Sequence, residues 1–243
     1  MRLEEMHNKI KEMYGEFPRV LVGCPTNVRK EYIFERYAER LKNLTYPNYE
    51  IVLADNSRLD DFKNKIESNG IKCLKTGWYE GSRARICEAR NAIRNYFLEN
   101  KFDFYLSVEA DVIPPEDIIE KLLIWNKDIV GGWYYIGNPG ISRPCIASEW
   151  KEIGGEKEAQ APPAQVLMAR NRLMKVFLGS MGIMMIKRKV LEDIKFKVYE
   201  KLHHHDDTWF FFDAESKGYE VWIDTDLLIP HFQQYDQWKG DIK

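Results

Sequence analysis

The sequence has no long hydrophobic run: its apolar stretches fall far short of the roughly 18 residues a membrane span needs, so no spanning helix is expected. Residues Met1 to Phe17 are charged throughout and lack the apolar core of a secretory signal. Cysteine is scarce, with four residues at 24, 73, 87 and 145 and no Cys-x-x-Cys pair. A disulfide framework would be sparse at this length, and reduced thiols in a cytoplasmic protein are the simpler expectation. Neither charge sign is in excess. Lys+Arg 36 against Asp+Glu 38 leaves a net charge of -2, which excludes a global basic footprint for duplex DNA or RNA and leaves room only for a local basic groove. There is no internal repeat.

What is present is a soluble globular balance, 44% hydrophobic and 30% charged over 243 residues. That length suits a single domain over 1–243 with a self-sufficient core. Leu3, Met6, Ile10, Met13 and Phe17 fall at helical spacing, so an N-terminal helix over 1–17 packs on the body. Strands and helices then alternate. Strands are predicted at Arg19–Gly23, Tyr49–Ala54, Ile71–Lys75, Phe102–Val108 and Ile129–Ile136. Between them the periodicity predicts helices at Lys30–Leu44, Leu59–Ser68, Arg83–Glu99 and Pro114–Trp125. A strand over Val176–Ile186 and a short helix over Lys189–Ile194 follow. A helix at Asp207–Lys217, stopped by Gly218, leads to strands at Tyr219–Ile223 and Leu227–Ile229. The alternation predicts an α/β fold with a mostly parallel central sheet flanked by helices. Such sheets bind ligands at the carboxyl ends of their strands. Residues 137–175 break the pattern with Gly, Pro and polar residues, and read as short strands or a flap inserted over the site.

Candidate chemistry gathers where predicted strands end. After Phe102–Val108 the chain continues Glu109-Ala110-Asp111, and period two puts both carboxylates on one side of the strand end. Two such close carboxylates repel, and a hard divalent cation resolves the repulsion. His231, after an apolar strand and Pro230, suits a further ligand for Mn²⁺. At His203–Tyr219, Asp206 suits a helix N-cap and Asp207 its first turn, where the helix dipole favours negative charge. The same placing suits Asp207 as a general base, and both readings stand. His203–His205 alternate in direction on an extended segment and fit a solvated loop better than a metal cluster. Arg83, Arg90 and Arg94 share a stripe on one helix, suited to a diphosphate or to a solvated face pairing with acids; the second suits Arg94.

Taken in order, these features resemble the GT-A glycosyltransferases, in particular the family 2 type, from about Arg19 to Phe232. Pro25-Thr26 resembles the turn after the first strand, Asp55-Asn56-Ser57 the nucleoside-holding turn, and Ala89-Arg90-Asn91 the Ala-Arg-Asn helix motif. Glu109-Ala110-Asp111 resembles the DxD motif with Glu replacing the first Asp. Gly179–Ile186 resembles the strand beside the acceptor. Asp206-Asp207 with Gly218-Tyr219 resembles the Glu-Asp…Gly-Tyr helix, with Asp206 replacing Glu, and Pro230-His231 the closing histidine. The resemblance implies a GT-A fold and transfer of a sugar from a UDP- or GDP-sugar to an acceptor hydroxyl, dependent on Mn²⁺ or Mg²⁺ and inverting. It implies donor binding by Thr26, Asp55, Arg90 and Glu109, metal binding by Asp111 and His231, and Asp207 as the catalytic base. Acceptor contacts are expected from 137–175 and from aromatics such as Trp133, Tyr134, Trp150 and Trp209. Two rivals are a metal-dependent hydrolase built on His203–Asp207 and a non-catalytic nucleotide-binding module. A nucleotidyltransferase would carry a glycine-rich loop where this chain has Cys24-Pro25-Thr26-Asn27.

Overall fold

The structure, a computed structural model, describes residues 1–138, 141–153, 156–168, 173–199 and 204–233. The chain opens with helix α1 (Leu3–Tyr14) and strand β1 (Val20–Thr26). A 3-10 turn at Val28–Lys30 leads into α2 (Glu31–Lys42), followed by β2 (Tyr49–Asp55), α3 (Asp61–Ser68), β3 (Lys72–Lys75), α4 (Ser82–Glu99) and β4 (Phe104–Val108). Next come α5 (Ile118–Leu123), β5 (Ile129–Trp133), β6 (Tyr135–Asn138), β7 (Ile141–Pro144), β8 (Glu149–Ile153), β9 (Glu156–Gln160), α6 (Ala164–Leu167) and β10 (Leu173–Val176). The last elements are β11 (Ile183–Lys187), α7 (Arg188–Asp193), α8 (Asp206–Ser216) and β12 (Val221–Leu228).

Among the described residues the main sheet has eight strands in the order β10-β12-β5-β11-β4-β1-β2-β3. β11 and β10 run antiparallel to their neighbours, while β1, β2, β3 and β4 pair in parallel, as do β5 and β12. The mostly parallel α/β sheet read from the sequence is therefore present. Both faces are covered, which is why the strands read as continuous apolar runs. Alternate residues of β1 serve opposite layers. Val20, Val22 and Cys24 pack with Phe34, Tyr37 and Leu41 of α2, Phe62 and Ile66 of α3, and α5. Leu21 packs with Ile93 and Phe97 of α4, Leu191 of α7 and Phe210 of α8.

Several boundaries differ from the sequence reading for identifiable reasons. The helix expected at Pro114–Trp125 spans only Ile118–Leu123: the prolines disfavour helical backbone just before them, and Ile113 instead donates its N–H to the Pro230 carbonyl at 3.2 Å. The strand expected over Val176–Ile186 is two strands, since the chain turns through Phe177–Gly182 between β10 and β11. Apolar composition is equally satisfied by a buried turn, so periodicity does not distinguish the two. Ile129–Ile136 breaks at Tyr134 into β5 and β6. Tyr219–Ile223 and Leu227–Ile229 join as β12, whose register against β5 shifts between Ile223 and Leu228. Residues 137–175 contain short strands, with β6 pairing to β7 and β8 to β9 in antiparallel hairpins apart from the main sheet.

Candidate active site

β1 and β4 lie side by side, yet the chain leaves β1 for β2 and β3 on one side before returning as β4 on the other. Connections therefore diverge at this point, and a crevice opens beyond the carboxyl ends of the two strands. Thr26 ends β1; Glu109 and Asp111 follow β4.

Asp111 is 2% exposed and sits between two nitrogens. Its Oδ2 accepts from Lys30 Nζ at 2.5 Å and lies 3.3 Å from His231 Nε2. The histidine is held by backbone. Val112 and His231 form an isolated antiparallel bridge, and the Phe232 N–H donates to the Asp111 carbonyl at 2.8 Å. Nδ1 of His231 lies 3.0 Å from the Tyr135 carbonyl. A carbonyl only accepts, so Nδ1 carries the proton and Nε2 faces Asp111. Burial works against charge on Asp111, but the hydrogen bonds and charges of His231 and Lys30 outweigh it and hold the carboxyl below its usual range.

Glu109 goes the other way. A third of its side chain faces the crevice, yet burial and the Asp111 charge prevail over Arg90 and raise its pKa. Environment thus separates two carboxyls two residues apart into an ionised group and a more readily protonated neighbour. Glu109 is positioned by Tyr134, whose hydroxyl donates to Oε2 at 3.2 Å and meets Ser180 Oγ at 2.5 Å. The turn that presents Ser180 requires Gly182, because a Cβ there would lie 2.0 Å from the Tyr134 hydroxyl.

Arg90, 3% exposed in α4, spans the crevice floor. Its guanidinium donates to Asp206 Oδ2 at 3.0 Å and lies 3.7 Å from Glu109 Oε1. Burial opposes its charge, but Asp206, Asp207 and Glu109 keep it firmly protonated. Burial raises the Asp206 pKa, with Arg90 opposing. His205, not Asp206, is the N-cap residue of α8. The Asp206 side chain is drawn inward by Arg90 and is unavailable for capping. Asp207, in the first turn, accepts from the Thr208 N–H at 2.7 Å, and its charge is felt by both Arg90 and Glu109.

On the other side of β1, Asp55 is fully buried. Its Oδ1 accepts from the Ser57 N–H (2.9 Å) and hydroxyl (2.5 Å), and its Oδ2 from Lys75 Nζ (2.8 Å). Thr26 is 3% exposed, and its Oγ1 is buried without a hydrogen-bond partner among the described residues.

The crevice thus brings together Arg90, Glu109, Asp111 and His231, with Asp207 beside them and Thr26 and Asp55 at the β1–β2 end. Other expected features fall elsewhere. Arg94 donates to the Ile194 carbonyl at 2.9 Å rather than pairing with an acid, because the end of α7 lies against α4. His203 lies outside the described residues, and His204 packs edge-on against Trp209. Trp133 is 1% exposed, with its indole N–H on the Thr225 carbonyl, and Tyr134 is 2% exposed. Both belong to the interior, whereas Trp150 is 43% exposed. Sequence reasoning missed Lys30, Lys75 and Ser180; only the first had a signal, a cation one turn beyond the Pro25-Thr26 strand end.

Among the described residues no group of three or more His, Cys, Asp or Glu side chains converges to hold a metal ion. Asp111 Oδ2 and His231 Nε2 do converge. One or two protein donors completed by phosphate oxygens and water is the pattern of Mg²⁺ sites on nucleotides, and imidazole extends it to Mn²⁺. Nδ1 is committed to the Tyr135 carbonyl, so Nε2 is the nitrogen that would ligate an ion, after giving up the proton it shares with Asp111. The residues therefore fit a divalent ion that arrives with a phosphate ligand.

No protein-family model matches the chain, and no curated protein does. Solved structures share the fold. TarS from S. aureus aligns over 87% of this chain and 36% of its own, at 16% identity and a TM-score of 0.57. A mannosyltransferase from Pyrobaculum calidifontis, PcManGT, solved in complex with GDP-Man and Mn²⁺, aligns over 97% of this chain and 66% of its own, at 14% identity and a TM-score of 0.56. This chain spans about a third of the one and about two thirds of the other. The fold is the GT-A fold. Among the described residues, no helix is long and apolar enough to cross a membrane.

Proposed function

We propose that this chain is a metal-dependent, inverting glycosyltransferase that moves a sugar from a nucleotide-diphosphate donor, with UDP or GDP as the nucleotide, to an acceptor hydroxyl. The observation that carries the reading is the meeting of Asp111, His231, Glu109 and Arg90 at the point where the sheet's connections diverge. Two supports stand beside it: the fold is shared with an enzyme solved with GDP-Man and Mn²⁺, and the donor set suits a phosphate-bound cation.

In this mechanism the nucleoside lies at the β1–β2 end, with Thr26 and Asp55 as its side of the crevice. Asp111 and His231 would hold the divalent ion. Bound there, the ion supplies Lewis-acid stabilisation of the charge that develops on the departing diphosphate. Arg90 adds fixed positive potential from beneath, and Glu109, anchored by Tyr134, orients the donor. The acceptor oxygen attacks the anomeric carbon, the bond to the diphosphate oxygen breaks with its electron pair, and Asp207 takes the acceptor proton. A single displacement of this kind inverts the anomeric centre. General-base help of this sort contributes roughly 10²–10⁴ in rate. The hairpins of 137–175 form an acceptor-side insertion within the GT-A domain.

The test is thermal unfolding with UDP, GDP and their sugars, with and without Mn²⁺, followed by a transfer assay with the sugar that binds. A ligand at one hundred times its Kd adds about 2.7 kcal/mol to stability, a rise of several degrees in Tm. The expected result is a rise that requires both the nucleotide and Mn²⁺. No rise with any nucleotide contradicts the proposal.

A further inference from the structure

Lys30 has no part in the reaction as derived above, yet its ammonium lies 2.5 Å from Asp111 Oδ2, a short, direct ion pair. This oxygen is the one that also faces His231 Nε2. A divalent ion held by Asp111 and His231 therefore competes with the ammonium for the same atom. The lysine is two-thirds buried, at 31% side-chain exposure, so it is not a freely solvated partner. Its backbone is firmly set. The Val28–Lys30 turn is capped by the Asn27 side chain, which accepts from the Arg29 N–H at 2.9 Å. The Val28 N–H donates to Ser57 Oγ at 2.7 Å, and Ser57 in turn donates to Asp55. The turn bearing Lys30 thus connects the Asp55 end of the crevice to the Asp111 end. Beyond that fixed backbone, the four-carbon stem has the rotatable bonds to move the ammonium from one anion to another.

We propose that Lys30 is a resident counter-ion of Asp111, displaced when metal and nucleotide bind together, and that its ammonium then pairs with the diphosphate. The inference rests on the nucleotide-sugar reading and adds an order of events to it. Without nucleotide, a metal ion must take Asp111 from Lys30 and leave the ammonium unpaired. With nucleotide, the diphosphate offers the ammonium a new anion. Metal and nucleotide therefore favour each other's binding through Lys30, and that coupling is reciprocal. It gives the enzyme a reason to ignore free metal and to accept the metal–nucleotide pair.

The test measures Mn²⁺ affinity from the electron paramagnetic resonance signal of free Mn²⁺, alone and with saturating UDP or GDP, in wild type and Lys30→Met. Lys30→Gln, which removes the charge and keeps a polar tip, is run in parallel, and circular dichroism verifies the fold of each. Removing the lysine is expected to tighten Mn²⁺ binding in the absence of nucleotide by about tenfold, and to cut the enhancement by nucleotide by about the same factor. Nucleotide affinity weakens at the same time, and opposite changes for two ligands are not produced by a damaged fold. Equal or weaker binding of Mn²⁺ alone in both folded variants overturns the role of Lys30 and leaves the proposed function intact. Absence of Mn²⁺ binding from wild type and variants alike, even with nucleotide, removes the metal from that function and takes this inference with it.

Discussion

Arg90 offers the most demanding quantitative test of the crevice. The residue is 3% exposed and compensates Asp206, itself 1% exposed, at 3.0 Å, with Glu109 at 3.7 Å. Arg90→Met fills similar space with an apolar chain, so the packing loss is modest and the electrostatic loss dominates. Breaking a buried pair by removing one partner costs about 3–5 kcal/mol, because an uncompensated charge stays behind. Glu109 is less buried and its contact longer, so nearly all of that cost belongs to Asp206. The sign of the pH dependence follows. Burial already raises the pKa of both carboxyls in the folded state, and loss of Arg90 raises them further. A carboxyl with a raised folded pKa binds more protons folded than unfolded, so stability falls as pH rises through that value. The variant's deficit is therefore larger at pH 7.5 than at pH 5 and shrinks as pH falls toward and below the raised values. Urea unfolding followed by tryptophan fluorescence at pH 7.5 and pH 5 measures both, and Arg90→Met with Asp206→Asn closes the cycle. The double variant is expected to recover more than half of the loss. A deficit under about 1 kcal/mol at pH 7.5, or one that grows at pH 5, refutes the reasoning, since breaking a buried pair costs several times that.

Two further outcomes follow from the geometry. Asp207→Asn keeps the side chain's size and its bond from the Thr208 N–H, so nucleotide affinity by calorimetry stays within about twofold while kcat falls about 10²–10⁴-fold; unchanged turnover removes Asp207 from the base role. Gly182→Ala places a methyl 2.0 Å from the Tyr134 hydroxyl, so overpacking costs about 1–3 kcal/mol in urea unfolding and KM for the donor rises as Glu109 loses its anchor. Wild-type stability in that variant shows that the turn yields without cost.

The fold was legible because its elements repeat local rules. Val20, Val22 and Cys24 alternate with Leu21 across β1 just as a two-faced buried sheet requires, and Ile93 and Phe97 keep helical spacing along α4. Glu109 and Asp111 were legible as a site because they interrupt an apolar strand with charge at its carboxyl end. The missing boundaries are equally physical. The run from Val176 to Ile186 is apolar whether it is one strand or two strands with a buried turn between them, and long-range contacts separate the cases: Tyr134 on Gly182, Ser107 on the Met181 carbonyl and the Ala147–Leu178 bridge. Asp206 has the composition of an N-cap, and a partner 116 residues away turned its side chain inward.

Asp55 and Lys75 are register partners on β2 and β3, but their pairing exists only because those strands are neighbours. Lys30 and Asp111 stand 81 residues apart in the chain and meet because β1 and β4 are adjacent in the sheet. Backbone periodicity, breakers and strand-end charges act over a few residues, and the sequence by itself therefore determined the α/β layering and the edge of the sheet that carries the chemistry. Which cation faces which carboxylate depends on strand order and on burial, which no short window contains. Only the tertiary structure decided that Arg90 belongs to Asp206, that Lys75 belongs to Asp55, and that Lys30 rests on Asp111.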